Sequence, residues 1–274
     1  QDVNISVLSK EINLAEELGE LSIETKNHLS TAKSLLALRK LVTKDMWEAC
    51  ASLIEDTDIT QLCEDEAASE FNLVSYHLKF KNAVDSMEKS LINGCVFVES
   101  KQGVEISSDA DVKEISHALA LANGLVNAPN VNISDAKFLA LLATVKIVCN
   151  LRSAGLFSKW EQVKLEVDKC IKLVETKRFF KTAADEVNRA EDYYFGWKIL
   201  TTLTMATSSG SIRLDVNGNC VREGIEYIHL EAALDELQGM QTSSDRANDI
   251  LKGSLGLYQV RNAIKNNDLD NLGT

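Results

Sequence analysis

LRSAGLFSKWEQVKLEV, residues 151–167, decides how the chain is read, because LRKLVTKDMWEACASL, residues 38–53, is built on the same skeleton. In both stretches a tryptophan follows Leu-Arg at one fixed distance, giving Trp47 and Trp160, and Leu151 lies 113 residues after Leu38. A weaker third match, VRNAIKNNDLDNL from Val260, places Leu269 where the others have tryptophan.

The match extends outward in order. After Trp47 the text predicts a helix to about Ile54, a long helix from about Asp65 to Leu91, strand-like GCVFVESKQGVEIS, and helical KEISHALALANG. After Trp160 it predicts a helix to about Val174, a long helix from Lys177 to Met205, strand-like GSIRLDVNGNCVREGIEY, and helical EAALDELQG. Residues 5–19, ISVLSKEINLAEELG, resemble the end of a further copy. Repetition with a period is the mark of arrays whose units stack on their neighbours. The expected fold is therefore mainly α: tandem multi-helix repeat units with a small β-hairpin in each, elongated as a whole. The expected division is 1–24, the end of a preceding unit; 25–127, with a hairpin near 95–107; 128–240, with a hairpin near 211–224; and 241–274, the start of a following unit. The arrangement resembles helical-repeat scaffold proteins in architecture alone, and the resemblance identifies no binding residues.

Both long helices carry an apolar stripe in three- and four-residue steps. Leu73, Tyr76, Phe80, Val84, Met87 and Leu91 form one, and Phe180, Ala183, Val187, Ala190, Tyr194, Trp197 and Thr201 the other. Such spacing puts the residues on one helix face, predicted to pack against partner helices. Trp47 and Trp160 are expected at equivalent buried positions between helices. Between units, Gly124 is expected to end one helix, Pro129 to discourage its continuation, and Ser134 to cap the next. MQTSSDRAND, after Gly239, is the corresponding junction.

Within the second strand-like segment, DVNGNCVREGIE, residues 215–226, also reads as a calcium loop. Counting from Asp215, oxygen-bearing side chains fall at positions 1, 3, 5, 9 and 12 as Asp215, Asn217, Asn219, Glu223 and Glu226. Three features favour a hairpin. Cys220 stands where the sharp turn needs glycine, SIRLDV alternates as a strand does, and Asn217-Gly218 suits a type I′ turn. The matching ESKQGVEISSDA, from Glu99, keeps the strand and the glycine but not the ligand series. No metal site and no cofactor site is assigned.

Composition narrows the function. The chain of 274 residues has 45% hydrophobic content, one proline and thirteen glycines, enough for a substantial helical core. Its net charge of −12 and lack of a basic stripe argue against nucleic acid. The densest charge cluster is acidic, from Glu55 to Glu70, and reads as a solvated loop and helix start. No run of eighteen or more apolar residues is seen, so membrane insertion is not expected. The six cysteines form no CxxC, and the four histidines, His28, His77, His117 and His229, lie far apart. There is no P-loop, GxGxxG or GxSxG, and SSGS at 208–211 precedes a strand where phosphate needs a helix N-terminus.

The expected function is a non-enzymatic structural or scaffold segment of a larger repeat protein. It would hold protein partners and adjacent repeats, or act as a rod-like spacer, in a reducing cytoplasmic and cytoskeleton-associated setting. Gln1 opens the sequence without methionine, which fits an excised or processed segment. Homo-oligomerisation is left open. The alternatives are a calcium- or calcium-sensor-regulated binding module and a regulatory helical domain attached to an enzyme.

Overall fold

The computed structural model describes residues 5–19, 21–128, 133–176, 179–208, 211–214, 220–223 and 227–265, with the backbone alone at 211–214, 220–223, 227–228 and 264–265. The described residues form ten α-helices and two antiparallel two-stranded hairpins. The expectation of a mainly helical chain with small hairpins holds. In order the elements are α1 (Ile5–Glu17), α2 (Ile23–Thr43), α3 (Trp47–Asp56), α4 (Asp65–Ile92), β1 (Phe97–Ser100), β2 (Gly103–Ile106) and α5 (Lys113–Val126). There follow α6 (Ala136–Leu156), α7 (Trp160–Glu175), α8 (Ala184–Thr207), β3 (Ser211–Leu214), β4 (Cys220–Glu223), α9 (Tyr227–Glu236) and α10 (Asp245–Lys265). A short 3₁₀ turn precedes each long helix, at Ile59–Gln61 and Lys181–Ala183.

Two compact units share these elements: Gln1–Asp85 with Ala122–Val131, and Ser86–Leu121 with Asn132–Thr274. In the first, Leu38, Cys50 and Phe71 form a buried cluster under Trp47, Leu53, Val74 and Leu78. In the second, Val96 and Phe97 of the first hairpin join Leu151, Val163, Val167, Val187, Ala190 and Tyr194. A neighbouring cluster in the same unit, Ile199, Leu203, Leu230, Leu237 and Ala247, ties α8 to α9 and α10.

Local chemistry sets the ends of the elements. The α2–α3 turn holds Asp45 at φ 54°, and the α6–α7 turn holds Ser158 at φ 53°. The amide of Met46 donates to Leu41 O at 3.0 Å and that of Asp45 to Val42 O at 3.1 Å. Lys159 donates to Ala154 O at 2.9 Å, and Ser158 to Gly155 O at 3.0 Å. Each is a Schellman closure, which satisfies carbonyls left over at a helix end by letting one residue go left-handed. In the first hairpin Ser100 pairs with Gly103, so Lys101 and Gln102 make a two-residue turn. In the second, Leu214 pairs with Cys220 and Ser211 with Glu223. The antiparallel strands replace the helical flanks an EF-hand would have. The tip with Asn217-Gly218 lies outside the described residues.

Five expectations are corrected. Asp135, not Ser134, caps α6, accepting from Lys137 N at 2.8 Å and Phe138 N at 3.1 Å, because its carboxylate reaches the second and third helical amides. Gly124 lies inside α5, and its φ is not positive. Leu73 is 68% exposed: Met87 and Leu91 of the expected α4 stripe are buried, but ahead of them the buried positions are Ala67, Phe71 and Ala83 instead. Trp47 and Trp160 are half-buried, each opening its helix at the edge of a core. Finally, α6 is long and apolar enough, by length and composition, to cross a membrane, with a mean hydropathy of 1.4. Its Phe138, Leu141, Val145, Val148 and Leu151 are buried in the core of the second unit, and a buried core helix meets the same criterion.

Candidate functional site

The most heavily bonded charged group described in the second unit is Arg152, which is 1% exposed and paired with Glu186 at 2%. The α6 helix carries Arg152 inward one residue after the buried Leu151, and the first turn of α8 presents Glu186. Arg152 Nε donates to Glu186 Oε2 at 2.9 Å, and Nη2 donates to the same oxygen at 2.7 Å. The other edge of the guanidinium faces the carboxyl end of α4. Nη1 donates to Ser90 O and Asn93 O, each at 2.8 Å, and Nη2 to Leu91 O at 3.2 Å. Glu186 Oε1 also accepts the Val96 amide at 2.7 Å, where the chain enters β1.

The chemistry is that of a helix cap made by a distant side chain. The last carbonyls of α4 have no partner within their own helix, and the helix dipole makes that end negative. A cation that donates in several directions answers both needs, while a carboxylate beside the first turn of α8 meets the positive end of that helix. Gly94, at φ +66°, permits the turn between them, and an added Cβ would stand 2.8 Å from Asp111 O. Gly155 lets Phe97 lie against α6, because a Cβ there would meet the ring at 2.7 Å. The node is a structural junction of three helices and a hairpin.

Next to it, a cleft of about 720 Å³ opens between the first hairpin, α8 and the α9–α10 linker. Its walls include Glu99, Lys101, Asp185, Arg189, Asp192 and Asp245, and no lining residue is histidine or cysteine. Arg189 Nε is engaged with Phe97 O at 2.8 Å, holding the hairpin to α8. Asp192 accepts the Ser243 amide at 2.7 Å and the Ser243 hydroxyl, holding the linker. Both groups are thus occupied in joining elements. Beside the cleft, the Trp160 ring lies 5.0 Å from Tyr193 and 6.1 Å from Trp197, centroid to centroid.

Of the calcium series, Asp215, Asn217, Asn219 and Glu226 lie outside the described residues, and Glu223 is on β4. Among the described residues no group of three or more His, Cys, Asp or Glu is placed to hold a metal ion. His77 stacks on Trp47 at 4.7 Å, and His28 Nδ1 meets Glu64 at 3.0 Å. The acidic run supplies separate local partners. Asp58 caps the first 3₁₀ turn, and bonds from the Thr60 hydroxyl and amide hold its carboxyl below the ordinary range. Glu70 pairs with Arg39, whose own pKa is raised chiefly by that hydrogen bond.

Sequence reasoning passed over Arg152 and Glu186. The signal was present: the Leu-Arg pair recurs in both matched stretches, and in the second its arginine is buried. No protein-family model matches the chain, and no curated protein or solved structure matches it.

Proposed function

We propose that the chain is a non-enzymatic structural or scaffold segment of a larger protein, made of tandem helical units that each end in a hairpin and a short helix. It serves as a spacer and as a surface for protein partners, without nucleic acid, membrane insertion or a cofactor. The unit boundaries proposed are 1–24, 25–127, 128–240 and 241–274.

The observation that carries this reading is the agreement of fine detail at the two Leu-Arg stretches. Asp45 and Ser158, 113 residues apart, are the two non-glycine residues at positive φ among those described, each three residues before the second residue of its helix. Arg39 pairs with Glu70 on one long helix, and Arg152 with Glu186 on the other. A shared turn and a shared ion pair are more demanding than a shared helix content, and they support duplication of one building plan. The element order around them agrees as well. Cys50, Cys63, Cys95, Cys149 and Cys170 are free thiols, which supports a reducing, cytoplasmic setting; cytoskeletal association is proposed without an observation of its own.

Small-angle scattering tests the rod. A compact chain of this length has a radius of gyration of about 18–19 Å, and the repeat reading expects a clearly larger value with an extended pair-distance tail. A value at the compact expectation would remove the spacer role.

A further inference from the structure

We propose that Arg39 and Glu70 form a docking face for the carboxyl end of a long helix and the hairpin behind it, supplied by a preceding helical unit of the same longer polypeptide. The proposal rests on the repeat reading above, and it names what that reading requires at this face.

The Arg152 junction shows what such a face holds. There the guanidinium takes the carbonyls of Ser90, Leu91 and Asn93, and the carboxylate takes the amide of Val96. With the helix end and the hairpin in place, the pair is 1% and 2% exposed. Arg39 occupies the matching position, directly after Leu38 and eight residues before Trp47. It makes the matching ion pair, with Nε donating to Glu70 Oε2 at 2.9 Å and Nη2 to the other oxygen. Yet here the two side chains are 24% and 39% exposed. The same charged pair is thus assembled on its own helices while both side chains stay partly exposed.

A second observation fixes the direction. The α1 helix packs against α2 as α9 packs against α10, so the described residues include the short tail helix of the arrangement ahead of Arg39. At the second unit the long-helix end and hairpin come from residues 90–106, well before the arginine helix. The occupant at Arg39 is accordingly a segment earlier in the polypeptide than α1. The chemistry also selects it. Glu70 already neutralises Arg39, so a phosphate or an acidic peptide gains little there. A helix carboxyl end followed by a strand offers several unsatisfied carbonyls and one amide together, which suits a donor fork beside an acceptor.

The experiment compares hydrogen exchange in the 274-residue chain and in the longer natural polypeptide that contains it, each with Arg39→Met and, separately, the charge-keeping Arg39→Lys. In the longer polypeptide, Arg39→Met should speed exchange of a hairpin preceding α1 by about tenfold or more, with a smaller effect for Arg39→Lys. Neither variant should change exchange in α6–α10 of the shorter chain. Absence of a helix-and-hairpin segment ahead of α1, or hairpin exchange unaltered by either variant, overturns the proposal. Arg152→Met in the shorter chain is the control and should speed exchange across residues 96–106. If it does not, the junction holds no hairpin and the docking face falls, while the scattering result still decides the rod.

Discussion

Burying Arg152 and Glu186 removes both charges from water, which costs several kcal/mol per ion before any partner is counted. The five bonds from Arg152 to Glu186 Oε2, Ser90 O, Asn93 O and Leu91 O offset that cost. Breaking the set from one side leaves the other side stranded. Arg152→Met is expected to lower stability by about 3–5 kcal/mol, since it leaves Glu186 charged and buried and three carbonyls without a donor. Adding Glu186→Leu should cost much less than the two single losses together. Urea unfolding of the four proteins in the cycle measures this, and additive losses would show that the pair is not coupled. Cys170 gives a second test at this scale. Burial, with a lesser contribution from Glu166, pushes its thiol up from 9.0 to about 12. The neutral thiol is the favoured buried form, so its stabilising effect is complete below pH 9 and is lost as pH rises from there through about 12. At pH 8, iodoacetamide should alkylate the exposed Cys63 at least about a hundredfold faster than Cys170. Comparable rates would show that the second core opens readily.

At the scale of elements, the two Schellman turns are the places where local sequence is least suited to local geometry. Asp45 and Ser158 hold left-handed backbone that costs an L-residue roughly 1–2 kcal/mol and glycine almost nothing. Both side chains are exposed, so removing them opens no cavity. Asp45→Gly and Ser158→Gly should each raise stability by about 0.5–1 kcal/mol after the added freedom of the unfolded chain is counted. Thermal unfolding reads this directly, and a loss at either position would mean that its side chain serves a contact. Val187, Ala190 and Tyr194 are buried in α8 as their spacing predicts, but that helix begins at Ala184, not near Lys177, so Phe180 and Ala183 of the stripe precede it. In α4, Met87 and Leu91 are buried as expected, but the earlier part of the stripe was misjudged because Tyr76, Phe80 and Val84 suggest a face adjacent to the one that Phe71 and Ala83 use. Aromatic residues at three- and four-residue steps fit either face, and only the neighbouring helix chooses.

For the whole molecule, the net charge of −12 opposes association with duplex DNA. Binding measured at low salt should show no saturable complex. A complex whose affinity falls steeply with added salt would reveal a basic footprint that the charge total conceals. The same total does not bear on the proposed protein partners, and the polar cleft beside α8 is lined by the carboxylates of Glu99, Asp185, Asp192 and Asp245. Under the proposed scaffold role the two places should separate: mutations at the Arg152 junction should alter stability, whereas changes at Glu99 and Asp185 of the cleft, which hold no linker, should alter association while leaving stability nearly unchanged.

Much of the architecture was determined by residue pattern alone, because helices, hairpins and their ends depend on residues a few positions apart. The strand after each long helix, the helix that each tryptophan opens, and the glycine turn at Gly103 were all legible in this way. Tertiary structure alone decided the junction. Arg152 lies 62 residues from Ser90 and 34 from Glu186, so no local window contains the bonds that make its burial favourable. A periodic apolar pattern reports which face of a helix turns inward, not which groups await it there. An arginine inside α6 reads as a surface residue until the carboxyl end of α4 is placed against it.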